Sequence, residues 1–170
     1  GHIVSGIESL QSVPGRLERI DAGQPYDVIV DYAHTPDALQ NLLETLKNLT
    51  PNRLILVFGA TGDRDKTKRP IMGEIAAKLT DRIILTDEES YTEDPTSIRH
   101  MVMEGIVKGG GGSKVEEIPD RKLAIEKALG IARRGDTVVV TGMGHEQYRI
   151  IDGKREPWHE PTVIRELLEK

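Results

Sequence analysis

The sequence predicts an α/β domain of three layers, with a mainly parallel sheet of about six strands, helices on both faces and a hairpin near the C-terminus. Three observations carry this. Short aliphatic runs at 28–30, 54–58, 83–86 and 137–141 alternate with stretches whose apolar residues recur at helical spacing. The runs are continuously apolar, as strands covered by helices on both faces must be. Glycine, proline and charged residues punctuate the joins. Alternation of this kind gives a Rossmann-like layering with crossover connections.

Each element follows from its residues. Val28, Ile29 and Val30 are β-branched and read as a buried strand. Thr35 is placed to cap a helix that Pro36 opens, and Leu39, Leu42, Leu43, Leu46 and Leu49 give it one apolar face before Pro51-Asn52 ends it. A strand at 54–58 breaks at the glycine-containing turn 59–62. Residues 70–79 read as a helix with Ile71, Ile75, Ala76 and Leu79 on one face, followed by a strand at 83–86. Pro95 opens a helix carrying Ile98, Val102 and Ile106, and the glycine run 109–112 turns the chain. A short strand at 115–118, a helix at about 121–133 and a strand at 137–141 follow. Asp152-Gly153 marks a hairpin turn after 148–151, and residues 162–168 form a short last helix.

Composition narrows the function classes. The chain has 170 residues, enough for one domain spanning 1–170, with 37% hydrophobic, 30% charged and only 4% aromatic residues, so the core is expected to be aliphatic. A net charge of −5 argues against a general nucleic-acid binder, which needs a basic surface. The absence of cysteine removes disulfides, thiolate catalysis and cysteine zinc sites. No apolar run approaches a membrane span and no signal peptide is visible. The start at Gly1-His2 rather than methionine reads as a piece of a longer protein carrying a cloning scar, with another domain ahead of it.

In an open α/β sheet, ligands bind beyond the carboxyl ends of the strands. Four such ends carry charged loops: Asp31 to Thr35, Gly62 to Lys66 with Lys68 and Arg69 beyond, Asp87 to Tyr91, and Gly142 to Glu146. Each loop also has a plain structural reading. Asp31 and His34 could cap the next helix, Gly142 and Gly144 could only turn the chain, and Glu88 and Glu89 are more often solvated than functional. Lys66, Lys68 and Arg69 could be a solvated helix start, although cations there oppose the helix dipole. His100 is expected on the surface, and His159 has no assigned role. The phosphate-loop pattern G-x-x-x-x-G-K-[ST] is absent from the sequence, and so is any H-E-x-x-H helix, so no metal site made by this chain alone is expected.

Taken together, these loops resemble those of the Mur ligases. The matching segments are Val13-Pro14-Gly15-Arg16-Leu17-Glu18, Asp31-Tyr32-Ala33-His34-Thr35-Pro36, Phe58-Gly59 through Gly62-Asp63-Arg64-Asp65, Lys68-Arg69-Pro70 and Gly144-His145-Glu146. They look like the third, C-terminal domain of the branch that forms the muramyl tripeptide (UDP-N-acetylmuramyl-tripeptide synthetase), from about residue 13 to 168. The resemblance implies an ATP-dependent ligase of cell-wall peptidoglycan synthesis. A peptide carboxylate is activated as an acyl phosphate and the amine of the third amino acid attacks it. The UDP-muramyl dipeptide, the phosphate loop and the Mg2+ ligands would belong to two preceding domains, so the fragment alone would be inactive. Arg16, Asp31 and His34 would face the nucleotide. Arg64, Glu88, Glu89, Tyr91, Gly142 and Glu146 would line the amino-acid pocket, with Arg64 toward the substrate carboxylate and Glu146 toward an ammonium. The protein is expected to be a monomer of the bacterial cytoplasm, without nucleic-acid or membrane partners.

Two positions depart from the family pattern. Diaminopimelate-adding members read D-N-P-R where this chain has Glu88-Glu89-Ser90-Tyr91. A cation is lost and an anion gained, which disfavours a second substrate carboxylate, and about 1.4 kcal/mol already changes selectivity tenfold. Lysine or ornithine is therefore favoured over diaminopimelate. Met143 stands where the G-K-G-H-E pattern has lysine. Two other readings stay open: an amide ligase of folylpolyglutamate synthetase type, which would want cations where Glu88 and Glu89 stand, and a non-catalytic nucleotide-binding module.

Overall fold

The computed structural model describes residues 16–151 and 153–170. Residues 13–15 of the first matching segment, and Asp152 of the hairpin turn, lie outside this range. The chain runs β1 (Glu18–Arg19), β2 (Asp27–Asp31), α1 (Pro36–Leu49), β3 (Leu54–Phe58), α2 (Lys68–Leu79), β4 (Arg82–Leu85), α3 (Pro95–Lys108), β5 (Val115–Glu117), α4 (Arg121–Ile131), β6 (Thr137–Thr141), β7 (Tyr148–Ile151), β8 (Lys154–Pro157) and α5 (Glu160–Leu168). Six strands form one sheet in the order β1-β2-β6-β3-β4-β5, while β7 and β8 pair as a separate antiparallel hairpin. Every pair in the main sheet is parallel except β1 with β2. The predicted layering is thus observed. Two-residue β1 was not anticipated, because a strand that short has no periodicity to read.

Alternate strand residues feed two cores, as the pleat requires. Ile29, Leu56, Phe58, Ile83, Leu85 and Val139 face α1, α2 and α3. Val28, Val30, Ile55, Val57, Ile84, Val138 and Val140 face α4 and α5. Helix starts follow the cap chemistry. Thr35 Oγ1 accepts from the Ala38 amide, and the carboxylates of Asp94 and Asp120 accept from the Ser97 and Leu123 amides. β6 slots between β2 and β3, so the carboxyl ends of β2, β6, β3 and β4 lie side by side on one rim.

Helix α2 corrects the sequence reading in two ways. It begins at Lys68, with Pro70 in the first turn, where no intrahelical donor is lost. Its buried face is Arg69, Met72, Gly73, Ala76 and Ala77, while Ile71 is 48% exposed. The cause is a close backbone contact with α3. A Cβ on Gly73 would lie 2.2 Å from the Val102 carbonyl oxygen, and one on Gly105 would lie 1.9 Å from the Pro70 carbonyl oxygen. Two glycines let the helices touch, and that contact sets the rotation of α2 in place of its larger aliphatic residues.

Alanine substitutions should separate the two roles of glycine in helices. Gly105→Ala is expected to destabilise the fold by about 1–3 kcal/mol, because the new methyl overpacks the backbone of α2. Gly130, in α4, has nothing within 4 Å of where its Cβ would be. Gly130→Ala should stabilise by about 0.5–1 kcal/mol. Urea unfolding of the two variants reads the opposite signs, and destabilisation by Gly130→Ala would contradict the open-space argument.

Candidate functional site

The rim opens into a cleft of about 430 Å³. Its wall is built from four loops: Tyr32, His34 and Thr35 after β2, Ala60, Thr61, Arg64 and Asp65 after β3, Glu88, Glu89 and Tyr91 after β4, and Gly142, Met143 and Glu146 after β6. Lys68, Arg69 and Met72 close it from the start of α2. Seven of the nine sequence-predicted site residues therefore meet here: His34, Arg64, Glu88, Glu89, Tyr91, Gly142 and Glu146. Asp31 and Arg16 do not line it.

Asp31, at the end of β2, is occupied in holding the backbone. Its Oδ2 accepts from the Leu17 amide at 2.9 Å and its Oδ1 from the Ala33 amide at 2.7 Å. Its carbonyl oxygen accepts from the Gly142 amide. Asp31 thus fixes the segment that carries Arg16 beside the β2 and β6 loops. Arg16 is exposed, and its charge reaches the Tyr32 hydroxyl. The His34 ring contacts the Tyr32 carbonyl oxygen through Nδ1 at 2.9 Å, and the Tyr32 ring lies between the His34 and His145 rings, with centroids 4.7 and 5.7 Å away. Helix α1 is capped by Thr35, which leaves Asp31 and His34 out of the capping role the sequence allowed them.

The β3 and β4 loops are locked to each other. Asp63 and Tyr91 both adopt left-handed backbone, with φ of 52° and 50°, a conformation that costs non-glycine residues energy. The Asp63 carboxylate accepts from the Thr92 amide and hydroxyl, and the Asp63 amide donates to Glu93 at 2.6 Å. Glu93 in turn takes both ends of the Arg69 guanidinium, at 2.8 and 3.0 Å, and pairs with Lys66 at 3.1 Å. Arg69 is 2% exposed and also donates to the Thr61 carbonyl. The solvated helix start allowed for Lys66, Lys68 and Arg69 is therefore wrong for Arg69. A partly buried carboxylate from another loop neutralises a cation that the helix dipole disfavours.

Glu88 and Glu89 are likewise not the solvated pair that their type suggests. Glu88 is 5% exposed, and its Oε2 accepts from the Thr61 hydroxyl at 3.1 Å. Burial pushes its carboxyl above the usual range, opposed by Arg121 and Thr61. Glu89 is half-buried and reaches the hairpin: Oε1 accepts from the Ile150 amide at 3.2 Å, and Oε2 from the Tyr91 hydroxyl at 3.0 Å. The Arg64 guanidinium lies 5.3 Å from the Tyr91 ring centroid, in cation–π range. Burial raises the Tyr32 hydroxyl's pKa, and the charges of Glu146, Glu89 and Glu88 raise it further. Three carboxylates thus converge on one part of the cleft, while Arg64 and Lys68 stand on the β3–α2 side.

Sequence reasoning missed the layer behind the cleft. Arg121, fully buried, donates to Glu160 through Nε at 2.9 Å and Nη2 at 3.1 Å. The same guanidinium donates to the carbonyl oxygens of Thr141 at 2.7 Å and Asp87 at 3.4 Å. It joins the ends of β6 and β4 to α5. A signal was present: Arg121 is a cation in the first turn of α4, as Lys68 and Arg69 are in α2, and such residues need a partner elsewhere.

Arg69 and Glu93 give a pH-dependent stability. Arg69 holds the Glu93 carboxyl down to about 2 from the ordinary 4.5. A depressed carboxyl stabilises the fold above its unfolded value, and the contribution is lost as pH falls from about 4.5 toward about 2. Glu93→Gln strands the buried Arg69 charge and should cost about 3–5 kcal/mol near pH 7. The difference from wild type should shrink as pH falls below about 4.5 in urea unfolding, and a difference constant from pH 7 to 3 would refute the assignment.

Comparison with known proteins agrees with this geometry. Residues 15–144 match the family model "Mur ligase, glutamate ligase domain". UDP-N-acetylmuramoyl-L-alanyl-D-glutamate–2,6-diaminopimelate ligase of Solibacter usitatus is 45% identical over 98% of this chain and 33% of its own length. The enzyme of the same name from Clostridium tetani is 46% identical over 99% of this chain and 34% of its own length. A solved structure of a ligase with this name superposes with a TM-score of 0.85 at 39% identity, covering 98% of this chain and 34% of that one. The chain thus spans about a third of the length of the relatives it matches. With the matched segment covering most of its rim loops, the chain belongs to the Mur ligase, glutamate ligase domain family.

Proposed function

We propose that this domain holds the incoming amino acid for an ATP-dependent ligase that adds the third residue to UDP-N-acetylmuramoyl-L-alanyl-D-glutamate. The observation that carries the reading is that one cleft is lined both by cations, Arg64 and Lys68 of the β3–α2 segment beside Asp65, and by the carboxylates Glu88, Glu89 and Glu146 of the β4 and β6 loops. A diamino acid has the complementary pattern of a carboxylate at one end and an ammonium at the other. Arg64 receives the carboxylate through its planar guanidinium, and Tyr91 supports that guanidinium from below. Glu146, with the carboxylates of the β4 loop, receives ammonium groups. Gly142, at φ 109°, keeps the β6 loop free of a side chain that would strike Glu88.

Arg16 and His34 face the nucleotide at the β2 corner, and Asp31 contributes chiefly by fixing that corner. ATP supplies the chemical activation of the peptide carboxylate when bound to the complete enzyme. His34 is exposed and rests against the Tyr32 ring, a surface suited to a base or ribose. Among the described residues no group of three or more His, Asp or Glu side chains gathers as a metal site. On this reading the Mg2+ and phosphate ligands lie on other domains of the parent.

The favoured amino acid has an ammonium alone at its far end, as lysine and ornithine do. Glu89 and Tyr91 stand where diaminopimelate-adding members of the family carry Asn and Arg, so the cation for a second carboxylate is missing. Relatives named for diaminopimelate point the other way, which makes the acceptor the decisive measurement. A glutamate substrate, as in folylpolyglutamate synthesis, would set a second carboxylate against Glu88 and Glu89. A nucleotide-binding module without ligase chemistry would bind ATP tightly as an isolated domain.

Ligation assays on the full-length enzyme should show kcat/KM at least tenfold higher for lysine or ornithine than for meso-diaminopimelate, and a preference for diaminopimelate would refute the selectivity. Arg64→Ala should raise KM for the amino acid by about 10- to 100-fold, as loss of a charged hydrogen bond of roughly 1.5–3 kcal/mol implies. KM for ATP should change little, and an equal effect on both would remove Arg64 from the amino-acid pocket.

A further inference from the structure

Behind the cleft, two buried carboxylates share one buried cation. Glu88 is 5% exposed, Glu160 is 1% exposed and Arg121 between them is fully buried. Arg121 is committed elsewhere: its hydrogen bonds run to both oxygens of Glu160 and to the carbonyls of Thr141 and Asp87. Glu88 has no hydrogen bond from the Arg121 guanidinium and feels it through space, shared with Glu160; its other support is one hydrogen bond from Thr61 and the charge of His34. Glu160 opposes its charge, and Glu89 and Glu146 line the same cleft. On the remaining side the backbone of Gly142 packs against it so closely that a Cβ there would lie 1.7 Å from Glu88 Oε1. With both carboxylates ionised, one buried cation faces two buried anions, and a buried charge left without a hydrogen-bonded partner cation is neutralised where a proton can be taken up. Glu88 nevertheless lines the cleft. A cation arriving there completes the missing pair.

We propose that Glu88 is held as the neutral acid in the empty cleft and releases a proton to solvent as the far-end ammonium of the amino acid docks. This rests on the amino-acid-binding reading given above and deepens it. Without substrate, Glu88 is the neutral acid. On docking, its O–H bond breaks, the proton leaves to buffer, and the carboxylate pairs with the ammonium. A substrate with an uncharged side chain brings no cation and leaves Glu88 protonated. Selection against neutral amino acids then has two parts, the missing ion pair and the missing proton release. Binding of a far-end ammonium should strengthen by up to about tenfold per pH unit on the acid side of the Glu88 titration, since one proton is exchanged.

The test is calorimetric titration of the full-length enzyme with L-lysine or meso-diaminopimelate, whichever it ligates, and with L-norleucine. Each titration is run at one pH in two buffers of different ionisation enthalpy. The expected result is about one more proton released with the diamino acid than with norleucine. Glu88→Gln should abolish that difference, while Glu146→Gln, which alters a half-exposed cleft carboxylate, should retain it. Equal proton release for the diamino acid and norleucine in the wild-type enzyme overturns the inference and requires no variant. Equal release by wild type and a folded Glu88→Gln enzyme overturns it as well. Binding of the diamino acid without this proton difference leaves the amino-acid reading standing, whereas failure of any amino acid to bind overturns both.

Discussion

The buried Arg121 guanidinium is the constraint on which the cleft depends. A parallel sheet brings strand ends to one rim, but it does not fix the loops that leave them. Arg121 does so from behind by hydrogen-bonding the carbonyl oxygens at the ends of β4 and β6 and the carboxylate of Glu160 at the start of α5. Such an arrangement is weak evidence for stability, since desolvating the ions offsets their attraction. Its effect is geometric. One planar group with donors in fixed directions holds three elements in a single arrangement, and the Glu88 and Gly142 loops inherit their positions from it. Trp158 Nε1, 3.4 Å from Glu160, extends the tie to the segment that follows the hairpin.

The front of the cleft is held by a second set of ties. Asp63 and Tyr91 keep left-handed backbone because the surrounding contacts outweigh the cost: Asp63 is gripped by Thr92 and Glu93, while Tyr91 exchanges backbone hydrogen bonds with Ile150 and Gly153 of the hairpin. The β3 loop therefore cannot move without the β4 loop, nor the β4 loop without the hairpin. Arg64 and Tyr91, which come from different strands, keep their mutual position for the same reason. This is the preorganisation a binding site needs, since side chains already held in place lose less freedom when a ligand arrives.

Most of the fold was legible in the sequence because its signals are local. Continuous aliphatic runs mark the strands, and Thr35, Pro36 and Pro95 mark helix starts. The rim loops were legible because an open parallel sheet receives ligands at the carboxyl ends of its strands, and His34, Arg64, Glu88, Glu89, Tyr91, Gly142 and Glu146 were named within them from the resemblance to the Mur ligases. What escaped depends on distant partners. The rotation of α2 follows from Gly73 meeting α3, and no periodicity within α2 contains that information. Burial of Glu88 depends on a glycine 54 positions later (142 − 88). Asp31 was read as facing a ligand, whereas both its carboxylate oxygens accept backbone amides, one of them from Leu17 in the β1 segment.

On the proposed reading, the change at position 91 redirects the site without rebuilding it. A cation there would sit among Arg64, Glu89 and the hairpin and present positive charge to the far end of the substrate. Tyrosine fills the place differently. Its ring lies beneath Arg64, and its hydroxyl donates to Glu89, so the same side chain steadies both a cation and an anion of the cleft. The polarity of the cleft is thereby sharpened along its length, with positive charge at the β3–α2 side and negative charge where the β4 and β6 loops meet. Glu88 completes that gradient at its buried end, where, on the proposed reading, a substrate that brings its own positive charge balances the two carboxylates against Arg121.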